Sequence, residues 1–194
     1  PPRLDVKQNP LEEKSGLAYL DTHYYGGVKK YQWVTMPLAL HGVVARRDGS
    51  VVDVCVGEDA HDPVLVITDL LIHLAQEQMD KKASQVIEGE MLDVLCGNRP
   101  LVVEGDGTDA TEQKDLVKAQ LLSLLAERYG IEEEDFLSAE LEVVPAGPAR
   151  ELGLDRSMIL GYGHDDRSCA YPSLIAQLEA GDLDKTGVCL LVDK

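Results

Sequence analysis

The chain has 194 residues, 44% apolar and 27% charged, which fits a folded protein and excludes intrinsic disorder. Its formal charge of −17 excludes nucleic acid as a partner, because phosphate backbones are held by clustered Lys and Arg. No apolar stretch approaches the ~20 residues that cross a bilayer and no basic-then-apolar leader opens the sequence, so no membrane partner is expected and a cytoplasmic location is.

The opening Pro1 to Lys7 alternates like a short strand, with a stop expected at Gln8-Asn9-Pro10. Segments 17–20, 32–40, 41–47 and 50–57 are rich in Val, Leu, Tyr and Trp. With a hairpin signal at Arg47-Asp48-Gly49-Ser50, they predict an antiparallel sheet. Thr68 can cap a helix over 69–77 whose Leu71, Leu74 and Ala75 share a face. A second helix, begun by Asp109 with Glu112 or by Thr111, carries the stripe Val117, Leu121, Leu124, Leu125 and ends at Tyr129-Gly130. The acidic run Glu132 to Asp135 reads as a solvated helix start, ahead of a strand over 138–144.

Past Pro148 the texture changes to strand, helix, strand: 157–161, 174–179 and 188–192. The last run is apolar on both faces, as in the central strand of a helix-covered sheet, and a domain boundary is expected near residue 148. Both ends read as cuts, the second falling where such enzymes place functional groups, beyond a strand's C-terminal end. Cys55, Cys96, Cys169 and Cys189 form no C-x-x-C pair and are expected to be buried, reduced thiols.

Four motifs, met in order, carry a resemblance. They are Thr22-His23-Tyr24-Tyr25-Gly26-Gly27-Val28-Lys29-Lys30-Tyr31-Gln32-Trp33, continuing to Gly42; Ile67-Thr68-Asp69-Leu70-Leu71-Ile72-His73-Leu74; Ile87-Glu88-Gly89-Glu90; and Gly161-Tyr162-Gly163-His164-Asp165-Asp166-Arg167. Together they resemble the bacterial branch of the aspartyl aminopeptidase and vacuolar aminopeptidase I family. That family implies a dizinc metallo-aminopeptidase, with two Zn²⁺ per active site and an oligomerisation domain interrupting the catalytic domain. Its His-x-Asp metal motif lies just before a segment that Pro1-Pro2-Arg3-Leu4-Asp5 resembles, and its Glu-Glu pair follows a strand end like Val192-Asp193-Lys194. Neither motif lies within this sequence.

The resemblance makes Asp165 the carboxylate that bridges the two metals, with Asp166 behind it, and leaves open which of the two bridges. A bridging carboxylate gives one oxygen to each cation, and a short Asp on a tight turn holds that arrangement well. By spacing alone, aspartates before a helix cap it. His164 adjoins Asp165 and can line the site. Pro172 departs from the family pattern and would disturb a helix begun before about residue 168. The resemblance gives His73 a substrate or oxyanion contact in a neighbouring subunit's active site, whereas its position beside an apolar stripe reads as a locally bonded histidine. His23, His41 and His61 read as strand or turn residues, and the aromatics from Tyr24 to Trp33 as sheet core or subunit interface.

The expected fold class is therefore α+β. A β-rich oligomerisation or lid domain with helices spans 10–148, flanked by pieces of an α/β zinc-peptidase catalytic domain at 1–9 and 149–194. The expected function is a fragment of a zinc-dependent aminopeptidase that removes N-terminal residues from peptides by metal-activated water. The fragment itself is expected to be inactive and not to retain zinc. Peptide substrates and a dimer-based homo-oligomer, with dodecamers suggested by the family, are the expected partners. The alternatives are a non-catalytic assembly or regulatory module, and the related lid-bearing aminopeptidases and glucanases. Preference for acidic or neutral N-terminal residues stays open.

Overall fold

The computed structural model describes residues 1–102 and 115–192. Both ends of the second helix's expected signal, Asp109 to Glu112, and the last residues Asp193 and Lys194 lie outside them. The chain divides into two compact units, Pro2–Gly147 and Pro148–Lys194, the second including Pro1. It is a mixture of α and β structure dominated by one large antiparallel sheet. No helix among the described residues is long and apolar enough to cross a membrane.

The larger unit is built on six strands: β1 (Arg3–Lys14), β2 (Leu17–Tyr25), β3 (Leu38–Ala45), β4 (Val51–Val56), β5 (Val94–Gly97) and β6 (Ala139–Pro145). Their order is β4-β3-β6-β1-β2-β5, and every paired neighbour is antiparallel. The period of two explains the faces. Leu4, Leu40, Val54, Leu141 and Val143 point into the core, while Asp5, His41 and Glu142, which pair one residue further along, carry the polar face. On that face Arg3 Nε bridges Asp5 (2.7 Å) and Glu142 (3.0 Å).

β1 does not stop at Gln8–Pro10 as expected. It continues through a bulge in which residues 7–10 stand opposite Asp21 alone, so Pro10 is buried without having to donate to the ladder. The β3–β4 hairpin turns where expected: Asp48 Oδ1 accepts the Ser50 N–H at 2.9 Å, and Gly49 takes φ +84°.

The helix expected over 69–77 is absent. Residues 68–75 form a loop, and only Gln76–Met79 is helical (α1). Of the predicted stripe Ala75 alone is buried, and a helix without a packed face is marginal in water. The next helix, α2 (Leu116–Tyr129), buries Val117 and packs Leu121 and Leu125 against the core of the sheet, while Leu124 stays 51% exposed. Its start lacks a local side-chain cap; Glu13 on β1 accepts the backbone N–H groups of Val117 (2.9 Å) and Lys118 (3.0 Å) instead. Gly130, at φ +64°, ends it. Glu13→Ala in the full-length protein is therefore expected to lower stability by about 1 kcal/mol, as loss of a cap does. Urea unfolding followed by circular dichroism measures this, and an unchanged midpoint would refute the assignment.

The acidic run is not wholly solvated. It opens a 3₁₀ helix, Glu133–Ser138, through a reciprocal cap in which Asp135, 7% exposed, accepts the Glu132 N–H at 2.9 Å. Trp33 is buried in the core, whereas Tyr24 and Tyr31 remain substantially exposed. The cysteines are free, but Cys55 and Cys169 are exposed rather than buried. Only Cys96 behaves as expected of a core thiol, its pKa pushed up to about 12 by burial.

The smaller unit holds β7 (Arg150–Leu152) paired antiparallel with β8 (Met158–Leu160), followed by α3 (His164–Leu178). Residues 188–192, expected as a buried central strand, form no strand and are largely exposed, with Val188 at 71% and Leu190 at 78%. A parallel strand buried on both faces needs flanking strands and covering helices, and among the described residues only α3 lies beside this segment, with no strand paired to it.

Candidate functional site

In the smaller unit, β8 delivers the chain through Gly161-Tyr162-Gly163 into α3, a strand-to-helix junction of the kind that gathers functional groups at the ends of strands. Gly163 takes φ +81°, which a glycine adopts without strain. The Arg167 guanidinium reaches back and donates to the Tyr162 carbonyl at 3.1 Å, and the His164 ring, with Nε2 protonated, donates to the Ile159 carbonyl of β8 at 3.2 Å. Two side chains thus tie the first turn of the helix to the loop and strand that precede it.

Asp165 departs from helical geometry (φ −89°, ψ 113°), and its peptide bond to Asp166 is cis. The regular helix runs from Asp166 onward. Both carboxylates are exposed, and neither accepts a hydrogen bond among the described residues, so the capping role that spacing alone suggests is not the one they take. Pro172 lies inside α3, which begins well before residue 168. The backbone angles show no break there, Asp165 being the one non-helical position within α3, and the proline forfeits a single backbone bond on an exposed helix.

His73 lies in the larger unit at the tip of the 68–75 loop, exposed, in a turn closed by the Leu74 N–H donating to the Leu71 carbonyl at 2.9 Å. The other histidines do not converge. His41 Nε2 meets Glu58 at 2.7 Å, His61 Nδ1 meets Asp59 at 3.1 Å, and His23 stacks on Tyr24. Among the described residues no three His, Cys, Asp or Glu side chains group closely enough to hold a metal ion. Asp165 fits a part in a zinc centre, as an uncommitted hard oxygen donor, and cannot complete one. Asp69 and Gln78 bracket the His73 loop; the sequence pattern places Asp69 at the start of a helix over 69–77 and gives neither residue a role.

A free carboxylate presented at a strand-to-helix turn suits a metal-dependent hydrolase. The sequence matches the family described as aminopeptidase I zinc metalloprotease (M18) over residues 1–194, and the chain belongs to that family. It is 59% identical over 193 residues to the "Probable M18 family aminopeptidase 1" of Clostridium acetobutylicum, covering 100% of this chain and 40% of that protein. The protein of the same name from Thermotoga neapolitana is 50% identical, with 98% and 40% covered. Among solved structures, the M18 aminopeptidase of Thermotoga maritima superposes with a TM-score of 0.82 at 48% identity, over 92% of this chain and 37% of that one. A yeast mApe1, whose structure is that of a dodecamer, shares the fold alone at 18% identity and a TM-score of 0.57, over 94% of this chain and 37% of that one. The chain thus spans about 40% of the length of the curated relatives it matches.

Proposed function

We propose that the full-length protein is a zinc-dependent aminopeptidase that removes N-terminal residues from peptides, and that Asp165 is its metal-bridging carboxylate. The free carboxylate of Asp165, held at the strand-to-helix turn of a chain that matches the family from end to end, is the main support. Asp165 would hold both ions through its two oxygens, with Asp166 and His164 behind it. Zinc bound there supplies Lewis acidity toward the peptide carbonyl and activation of water. The chain's own residues keep the bridging oxygens in place: His164 and Arg167 fix the turn through Ile159 and Tyr162, and Gly163 gives it room.

In this reading residues 10–148 form the oligomerisation or lid domain, and residues 1–9 and 149–194 are pieces of the catalytic domain, although residues 3–6 also pair within the large sheet through β1. His73 contacts substrate or its developing oxyanion in a neighbouring subunit of a homo-oligomer, and the location is cytoplasmic. Exposed Leu70, Leu71, Ile72 and Leu74 around His73 support an interface there, since large apolar side chains held in water mark contact surfaces.

Peptide hydrolysis by the full-length protein, assayed before and after chelation, tests the proposal. Release of N-terminal residues is expected to disappear with chelator and return with Zn²⁺, while the 194-residue chain alone releases none. Turnover indifferent to chelation would overturn the metal-dependent reading.

A further inference from the structure

The loop that carries His73 is clamped across its base. Asp69 Oδ1 accepts both the Leu70 backbone N–H at 2.8 Å and the Gln78 side-chain Nε2–H at 2.8 Å, joining residues 69 and 78 on either side of the histidine. Gln78 Nε2 also reaches the Val86 carbonyl at 3.4 Å, which ties the clamp to the following segment. At the entrance, buried Ile67 accepts the Thr35 N–H at 2.8 Å; at the exit, Ala75 is 3% exposed and its carbonyl accepts the Met79 N–H at 2.8 Å.

Between these anchors Leu70, Leu71, Ile72 and Leu74 are each more than half exposed. An unrestrained loop with four such side chains would fold them back against the protein and carry the histidine with them, because burying apolar surface is favourable. Bonds to an ionised carboxylate are the stronger kind, and a clamp made of them opposes that collapse.

We propose that Asp69 and Gln78 are positioning residues for His73: their side-chain clamp holds the loop extended so that the imidazole stays in the pose from which it contacts substrate. This rests on the reading of His73 given above. A group held loosely loses much of its rate contribution, so an effect on turnover through His73 follows.

The test is a mutant cycle in the full-length protein, with kcat/KM measured for His73→Ala, Asp69→Ala, Gln78→Ala, Asp69→Asn and the doubles Asp69→Ala/His73→Ala and Gln78→Ala/His73→Ala. Asp69→Ala and Gln78→Ala are each expected to lose about tenfold, and Asp69→Asn, which keeps the accepting oxygen, to stay within about threefold of wild type. In the His73→Ala background neither alanine is expected to cost more, because a device that acts through the histidine has nothing left to position. If His73→Ala lowers kcat/KM while the two alanines leave it intact, or if their losses add to that of His73→Ala, the clamp is overturned and the role of His73 stands. If His73→Ala itself costs nothing, the role of His73 fails and the clamp's function fails with it.

Discussion

Asp165→Ala in the full-length protein is expected to lower kcat/KM on the order of 10³-fold and to reduce the zinc bound per subunit. The size follows from the charge stabilisation at stake, several kcal/mol for a metal-assisted hydrolysis, at about 1.4 kcal/mol for each factor of ten. Both ions share this carboxylate in the proposed site, so its loss should lower metal content and activity together. Asp166→Ala is expected to cost less, about 10- to 100-fold, the range for a residue that supports a metal ligand from behind. Steady-state kinetics with metal analysis of the purified variants measures both. A larger loss for Asp166→Ala than for Asp165→Ala would move the bridge to Asp166; full zinc content and activity in both would remove the aspartates from the site.

Gly42→Ala should be the most damaging small change in the large sheet. Gly42 sits in β3 at φ +140°, paired with Leu141 of β6 in the interior of the strand order. A Cβ there would lie 1.9 Å from the Glu140 carbonyl oxygen and 2.9 Å from the Leu141 Cα, both backbone atoms that no rotamer change can move aside. Steric overlap adds to a backbone conformation that L residues rarely adopt, and together they are expected to cost about 3 kcal/mol or more. For a domain of this size that is a drop in Tm of roughly 6–12 °C, read by differential scanning calorimetry. A Tm within about 2 °C of wild type would show that β3 and β6 separate locally at no real cost. Gly49, with φ +84° and open space about its Cα, supplies the comparison: alanine there meets only the backbone penalty.

Much of the fold was legible because its signals are local. β3 and β4 could be found from alternating apolar residues and an Asp-Gly turn, and β6 from the same alternation, since a strand with one buried face must repeat every two residues. The 116–129 helix announced itself by its stripe and its terminal glycine. The 69–77 helix and the 188–192 strand were misread for one shared reason: an apolar pattern reports which side chains want burial and is silent on whether a surface is there to receive them. Where Leu71 and Leu74 find no such surface, the pattern yields a loop with an exposed apolar tip. Asp135 shows the converse, a residue in an acidic run that looked solvated and is buried by the reciprocal cap it forms.

The sequence by itself determined the family, through four motifs in a fixed order, and with it the nomination of Asp165, Asp166, His164 and His73. It determined too the positions at which chain direction had to reverse, because turn residues act on their own backbone. Only the tertiary structure decided that the Asp165 carboxylate caps no helix among the described residues, and that Glu13, more than a hundred residues away, supplies the cap that α2 lacks. Only it could show His73 on a loop clamped by Asp69 and Gln78. Hydrogen bonds between residues distant in sequence depend on where packing places their backbones, and no local pattern of residue types encodes that distance.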